Sequence, residues 1–191
     1  MELIYNNAPV VLIYAGASLI VLLLGKATGG GSDRMFFSVY RSSPLSPLTY
    51  LRLVGHVFGH ANIQHYLGNF MLILLIGPML EHNYGSRYLA YMILITAVVT
   101  GLLFMVFSRR GSAALGASGI VFMMILLGSF INVERGGIPI TLIIVAVMYI
   151  GKEFLGGAAN TLKIREDGVA HAMHILGGLC GAGFGVYMYL L

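Results

Sequence analysis

Runs of apolar residues long enough to cross a membrane recur along this chain and constrain its fold more than any other feature. Hydropathy, read against charges and turn residues, predicts six spans, near residues 8–25, 62–81, 87–107, 116–133, 138–157 and 169–191. As a helix, each run can cross a hydrocarbon core about 30 Å thick. Only 9% of the 191 residues are charged and 58% are hydrophobic, so a soluble surface cannot be assembled. We therefore expect an all-α, multi-pass membrane protein whose residues 1–191 form a single domain.

The first span and the connection after it have distinct compositions. No basic segment precedes residues 8–25 and further spans follow, which favours a membrane helix over a cleaved signal peptide. The connection at about residues 26–61 is the longest and contains three consecutive glycines, Pro44, Pro47 and several aromatic residues. This composition predicts a long first loop that lies at the membrane interface and contains short helices.

The charged and sulfur-containing residues exclude several classes of function. The net charge is +4, but no basic run is longer than the pair Arg109–Arg110, so the chain does not look like a nucleic-acid-binding protein. Cys180 is the only cysteine, which excludes an internal disulfide and a cysteine-based metal site. A His-Glu-x-x-His run typical of zinc enzymes is also missing. We expect neither a metal nor another cofactor.

Polar side chains in and before the second span are the first candidates for function, because such groups are costly in lipid. His56 and His60 precede this span, and His65 and Asn69 lie four residues apart on one face of its helix. Glu81 lies near the opposite end. Each has a structural alternative: His56 as a loop residue, Asn69 as a hydrogen bond between helices, and Glu81 as a structural carboxylate.

The fourth and sixth spans carry further polar groups near their first residues. The fourth begins with Gly-Ala-Ser-Gly at residues 116–119, and the sixth contains His171 and His174. Spans two, four and six cross the membrane in the same direction, so we expect their polar groups to converge at one depth. A hydroxyl, imidazoles and an amide beside helix N-termini are the components of a hydrolase. Taken singly, Ser118 also fits close helix packing and His171 fits interfacial anchoring.

The order of these motifs resembles that of rhomboid proteases from residue 52 to the end. The second-helix signature of the family resembles His56-x-x-x-His60-x-x-x-x-His65-x-x-x-Asn69, followed by Gly77-x-x-x-Glu81. The nucleophile motif resembles Gly116-x-Ser118-Gly119, and the final-helix motif resembles His174-x-x-Gly177-x-x-x-Gly181. The last motif favours His174 over His171 as the catalytic histidine.

The resemblance implies a six-helix intramembrane serine endopeptidase with a Ser-His dyad. Ser118 would be the nucleophile and His174 the general base and acid. The oxyanion would bind the backbone N–H of Ser118 and the side chains of His65 and Asn69. His60 would support the site, as would the glycines of the nucleophile and final-helix motifs: Gly116, Gly119, Gly177 and Gly181.

Two departures from the family pattern accompany this resemblance. The family often has a Trp-Arg pair before the second helix, whereas this chain has Leu51-Arg52 and contains no tryptophan. Many members have a tyrosine four residues after the serine, where this chain has Phe122. The phenyl ring can still stack on the histidine, but the hydroxyl is lost.

The expected partners are transmembrane protein substrates and membrane lipid, and the resemblance implies a bacterial inner membrane protein. Two alternatives remain open: an inactive rhomboid-like protein that binds membrane helices, and a small-solute transporter. Membrane orientation is also open. The positive-inside rule favours a cytoplasmic active-site end, whereas the resemblance implies a cytoplasmic N-terminus and an exterior active site.

Overall fold

The computed structural model describes residues 7–131, five single positions between 140 and 151, and residues 164–190, with side chains of the last segment given at 169 and from 171 onward. In chain order the described elements are α1 (Pro9–Ala27), α2 (Gly31–Phe36), β1 (Val39–Tyr40), α3 (Pro47–Gly55), α4 (Ile63–Tyr84), α5 (Ser86–Phe107), β2 (Ala113–Ala114), α6 (Ser118–Gly128) and α7 (Ile164–Leu190).

Four of these helices are long and apolar enough to cross a membrane: α1, α4, α5 and the part of α7 from His171 to Leu190. The prediction of membrane helices is therefore confirmed for the first, second, third and sixth spans. The predicted fifth span, residues 138–157, lies almost wholly outside the described residues. Ile13, Leu75 and Leu190 are examples of large apolar side chains left exposed on these helices, as lipid-facing surfaces require.

The predicted fourth span, residues 116–133, is wrong in its length. The helix α6 begins at Ser118 and ends at Gly128, and residues Ser129 to Ile131 continue in tight turns whose amides bind carbonyls three residues earlier. All residues of α6 except Ser118 and Leu126 are buried. Because α6 is enclosed by other helices rather than by lipid, it does not need the length of a full span.

Close packing of α6 against α7 depends on two glycines. A Cβ on Gly177 would overlap the carbonyl oxygen of Gly119, and a Cβ on Gly181 would overlap that of Met123. The small residues that the sequence places in the last span therefore let two helix backbones approach each other directly. This contact fixes the depth of α7 relative to the first residue of α6.

The Gly77-x-x-x-Glu81 motif joins α4 to the beginning of α1. Gly77 packs against the side chain of Val11, and the Glu81 carboxylate accepts hydrogen bonds from the backbone N–H groups of Val10 and Val11 at 2.9 and 3.0 Å. The hydroxyl of Ser86 donates a third, at 2.7 Å. Glu81 therefore satisfies amides of α1 that have no partner within their own helix.

The first loop contains the short helices α2 and α3, which its composition predicts, and the strand β1, which it does not predict. Arg52 of α3 is buried: its Nε donates to the carbonyl of Met35 at 2.9 Å and its guanidinium lies 4.4 Å from the centroid of the Tyr40 ring. Strand β1 pairs antiparallel with β2, aligning Val39 with Ala114. These contacts attach the loop to the segment that leads into α6.

Candidate active site

The segment in front of Ser118 is fixed by contacts to the turn between α3 and α4. The backbone N–H of Gly116 donates to the carbonyl of His56 at 2.9 Å, and that of Ala117 donates to Nε2 of His60 at 3.3 Å. Gly116 has a φ of +134°, a backbone conformation that residues with a side chain rarely adopt. This turn ends the segment and allows α6 to begin at Ser118.

Ser118 and His174 form a direct contact at the beginning of α6. The Oγ of Ser118 lies 2.7 Å from Nε2 of His174, on α7. If the hydroxyl donates, Nε2 carries the lone pair and the proton of the neutral ring is on Nδ1. His171 lies three residues earlier on the same helix.

The ring of Phe122 supports His174 from one side. The two rings are stacked, with centroids 5.1 Å apart and an interplanar angle of 14°. Phe122 lies one turn after Ser118 on α6, so the same helix carries both the hydroxyl and the ring that orients its partner. Gly119, the residue after Ser118, allows α7 to approach, since it faces the backbone of Met173 and the side chain of Thr100.

His65 lies against Gly116, two residues before Ser118. A Cβ on Gly116 would lie 2.7 and 2.8 Å from Cε1 and Nε2 of the His65 ring, so only glycine leaves room for the imidazole. Helix α4 begins one turn earlier, where the side chain of Asn62 accepts the N–H of His65 at 2.8 Å. The cap at Asn62 thus sets where this histidine emerges from the helix.

Asn69 lies one turn beyond His65 on α4 and is only 4% exposed. Its Nδ2 lies 3.1 Å from Nε2 of His60 and 3.8 Å from the position that a Cβ on Gly116 would occupy. The four-residue spacing of His65 and Asn69 therefore does bring both side chains to the segment that precedes Ser118.

A cavity of about 220 Å³ opens beside Ser118. Its walls come from the turn after α3, from α4 and α5, from the segment before α6 and the first residues of α6, and from α7. The lining residues are His56, Val57, His65, Thr100, Ala114, Leu115, Gly116, Ser118, Gly119, Met173 and His174. The contact between Ser118 and His174 therefore lies at a cavity large enough to admit several backbone atoms of a peptide.

His56 lies in the turn after α3, outside the membrane helices, but it is buried rather than exposed like an ordinary loop residue. It caps the C-terminus of α3, is 1% exposed and lines the cavity. Its Nδ1 lies 3.2 and 3.1 Å from the carbonyls of Arg52 and Leu53, so Nδ1 is the protonated nitrogen and Nε2 faces Thr100 at 3.5 Å. Burial lowers the pKa of His56 to about 4, although these carbonyls oppose the shift.

His60 is similarly buried and neutral. Removal from water lowers its pKa to about 4, the proximity of His65 acts in the same direction, and the carbonyl of Phe58 opposes the change. Two of the histidines before α4 are therefore uncharged at neutral pH.

Five cavity residues escaped the sequence analysis: Val57, Thr100, Ala114, Leu115 and Met173. Thr100 lies in the middle of an apolar span, and its hydroxyl also donates to the carbonyl of Thr96 at 2.7 Å. A threonine bonded to its own helix is common in membrane helices and gives no signal of a site. Leu115 and Met173 are apolar neighbours of motif residues, and only the fold reveals that they line the cavity.

A family model described as the rhomboid domain matches residues 47–190, which include all of α3, α4, α5, α6 and α7. The match covers more than half of the chain and includes every residue of the cavity. Together with the four membrane-spanning helices, it shows that the chain is an integral membrane protein that belongs to the rhomboid family.

Proposed function

We propose that the chain is an intramembrane serine endopeptidase that cleaves transmembrane segments of other proteins with Ser118 and His174. The observation that carries this proposal is the 2.7 Å contact between the Ser118 hydroxyl and Nε2 of His174 at the cavity. A nucleophile within hydrogen-bond reach of a base is the arrangement required for acyl transfer.

In the first step, the Oγ of Ser118 attacks the carbonyl carbon of the scissile peptide while Nε2 of His174 takes the hydroxyl proton. The tetrahedral intermediate then collapses, the C–N bond breaks, and His174 returns the proton to the leaving amine. The products are an acyl ester on Ser118 and a free amine. Phe122 keeps the His174 ring in the plane needed for both transfers.

The negative charge of the intermediate requires hydrogen-bond donors near Ser118. The first bond within α6 runs from Val121 to the carbonyl of Ala117, so the amide of Ser118 precedes the hydrogen-bonded part of the helix. The side chains of His65 and Asn69, which lie near Gly116, are the two further donors. Loss of one such donor lowers kcat by about 10²–10³ in serine hydrolases.

Hydrolysis of the acyl ester needs water, which is scarce in a bilayer. Several polar side chains line the cavity, where His56, His65 and Thr100 can hydrogen-bond water. There His174 takes a proton from the attacking water and returns it to Oγ as the ester breaks, which regenerates the enzyme.

The proposed substrate is a transmembrane segment that unwinds near one membrane interface. Backbone carbonyls within an intact helix are shielded, so glycine, proline or polar residues near the cut favour cleavage. Family resemblance adds a small residue before the scissile bond. Membrane lipid is then the second partner, because substrate must reach the cavity from the bilayer.

The transporter alternative needs polar groups at several depths. At the end of the bundle opposite the cavity, the Glu81 carboxylate accepts hydrogen bonds from Val10, Val11 and Ser86. This arrangement fits a structural carboxylate rather than a solute-binding site along a transport path. The inactive helix-binding alternative is addressed by the cleavage experiment below.

We further propose that the N-terminus lies in the cytoplasm and the active-site end outside. Arg52, one of the basic residues that opposes this orientation, is buried against Met35 and Tyr40 and has a structural function instead. Labelling of Leu45→Cys by an impermeant maleimide in intact cells tests the orientation, because Leu45 is 92% exposed in the first loop. With Cys180→Ala as the background, labelling at position 45 and protection of Asn83→Cys are expected, and the reverse pattern would exclude our orientation.

The cleavage experiment uses a transmembrane substrate in proteoliposomes. Wild type should cut, Ser118→Ala and His174→Ala should not, and His171→Ala, three residues before His174 on the same helix, should retain activity. Failure of wild type across a panel of substrates, or cleavage that survives Ser118→Ala, would refute the proposal.

A further inference from the structure

His60, a buried histidine outside the proposed dyad, contacts both Asn69 and the backbone just before Ser118. The inference drawn from these contacts rests on the proposed function. His60 lies in the turn between α3 and α4 and is 1% exposed. Its Nδ1 lies 3.2 Å from the carbonyl oxygen of Phe58. Its Nε2 lies 3.3 Å from the backbone nitrogen of Ala117 and 3.1 Å from Nδ2 of Asn69.

These contacts determine which ring nitrogen carries the proton. The carbonyl of Phe58 can only accept, so Nδ1 must donate. The backbone N–H of Ala117 can only donate, so Nε2 must offer its lone pair. Both contacts require the same neutral tautomer, and burial at this position disfavours the doubly protonated ring.

The lone pair on Nε2 in turn determines how the amide of Asn69 is oriented. With the amide as the structure has it, an N–H of Nδ2 points at that lone pair. With the amide rotated by half a turn, the carbonyl oxygen of Asn69 would face the lone pair, and two acceptors would be in contact in a buried place.

The second hydrogen on Nδ2 of Asn69 has no partner among the described residues, so it is available to the site. This nitrogen lies 3.8 Å from the position of a Cβ on Gly116, so it faces the segment that leads to Ser118. A rotated amide would present an oxygen at this place, which repels an oxyanion instead of binding it.

We propose that His60 is a positioning residue that fixes the Asn69 amide with its N–H groups toward the oxyanion. The same atom, Nε2, holds the N–H of Ala117, the residue before the nucleophile. One lone pair therefore positions two parts of the oxyanion site: the side chain of Asn69 and the backbone that precedes the Ser118 amide.

A double-mutant cycle between His60→Phe and Asn69→Ala tests this assignment in cleavage assays. If His60 acts through Asn69, the two effects on kcat overlap, and the double variant should lose about tenfold less than the product of the single losses. The matched control is His56→Phe, a second buried histidine before α4 whose contacts do not include Asn69 among the described residues. Its effect should multiply with that of Asn69→Ala.

If the kcat loss of the His60→Phe/Asn69→Ala double variant equals the product of the two single losses to within threefold, the assignment is wrong. His60→Gln covers the case in which His60→Phe does not fold, because a glutamine carbonyl can still accept from Asn69. This variant should recover part of the kcat lost in His60→Ala, and equal losses in both would also count against the proposal.

A spectroscopic measurement separates this inference from the proposed function, since it does not require activity. In Ser118→Ala protein labelled with ¹⁵N at asparagine side chains, the Asn69 pair is identified by its loss in Asn69→Ala. One of its two protons should be shifted downfield by the bond to His60, and His60→Phe should abolish that shift. A pair that is unchanged by His60→Phe would refute the positioning function even if the enzyme is active.

Discussion

Replacement of Gly177 by alanine is expected to separate the two helices that carry the proposed dyad. A Cβ at this position would overlap the carbonyl oxygen of Gly119 and lie 2.9 Å from its carbonyl carbon and 3.0 Å from its Cα. All three atoms belong to the backbone of α6, so no side-chain rotation relieves the overlap. Restoring ordinary contact with the carbon needs a shift of about 0.5 Å, and the oxygen needs more, so a displacement of about 1 Å follows.

That displacement acts on the dyad almost directly. Gly119 follows Ser118, and Gly177 lies one turn after His174, so the 2.7 Å contact should lengthen beyond hydrogen-bond range. A misplacement of about 1 Å can lower catalysis about 10²-fold, and overpacking of a tight interface costs about 1–3 kcal/mol of stability.

The assay is kcat/KM for a transmembrane substrate together with thermal unfolding in detergent. Gly183→Ala is the matched control, because it lies on the same helix and no atom lies within 4 Å of the added Cβ. This control should keep full activity and gain up to about 1 kcal/mol from helix propensity. If Gly177→Ala keeps kcat/KM within twofold of wild type, the account of how α7 is positioned is wrong.

Three further predictions concern the turn before Ser118, the far end of the bundle and acid stability. Gly116→Ala should lower kcat by about 10², because the added Cβ displaces the His65 ring. The control is Gly111→Ala, which is also at positive φ (+94°) but has no atom within 4 Å of the added Cβ, so it should carry only backbone strain. Equal activities of the two variants would contradict this prediction. Glu81→Gln should lower the free energy of unfolding by about 2 kcal/mol, because the new side-chain N–H₂ would face a hydrogen-bond donor of Val10, Val11 or Ser86. The kcat at low temperature should be unchanged. A lowered kcat without loss of stability would refute a structural function of Glu81. The pKa values of His56 and His60 are lowered to about 4 from the ordinary 6.5, so the unfolded chain binds more protons than the folded chain between these two pH values. Thermal stability in detergent should therefore fall as the pH drops from 6.5 to 4. Replacement of both histidines by Phe should make this dependence of stability on pH less steep.

The membrane helices could be predicted from sequence because hydropathy reports directly on burial in lipid. The length of α6 could not, since an apolar run looks the same whether lipid or protein surrounds it, and α6 is the enclosed helix. Hydropathy therefore predicts a full span over residues 116–133, whereas the helix ends at Gly128.

The candidate site was partly predictable from spacing. Ser118 and His174 lie near the first residues of predicted spans that cross the membrane in the same direction, and their convergence follows from the number of crossings. The distance between Ser118 and His174 depends on how closely the backbones of Gly177 and Gly119 approach each other. Sequence spacing does not encode such a long-range approach of two backbones.

The contacts of His60 and His56 also lay beyond prediction. Both precede α4 in a turn without periodicity, so no pattern tells which way each ring points. Their partners, Ala117 and Thr100, are distant in sequence and become neighbours only when the first loop packs against α5 and α6.

The most direct test of the central claim is the reaction of the purified protein with a fluorophosphonate, followed by peptide mapping. Displacement of fluoride by an activated serine leaves a stable phosphonyl group on Oγ. Wild type should carry the adduct on Ser118 and not on Ser108 or Ser112, and His174→Ala should abolish it. An adduct that is missing from Ser118, or that forms equally well without the His174 ring, would contradict the Ser-His dyad.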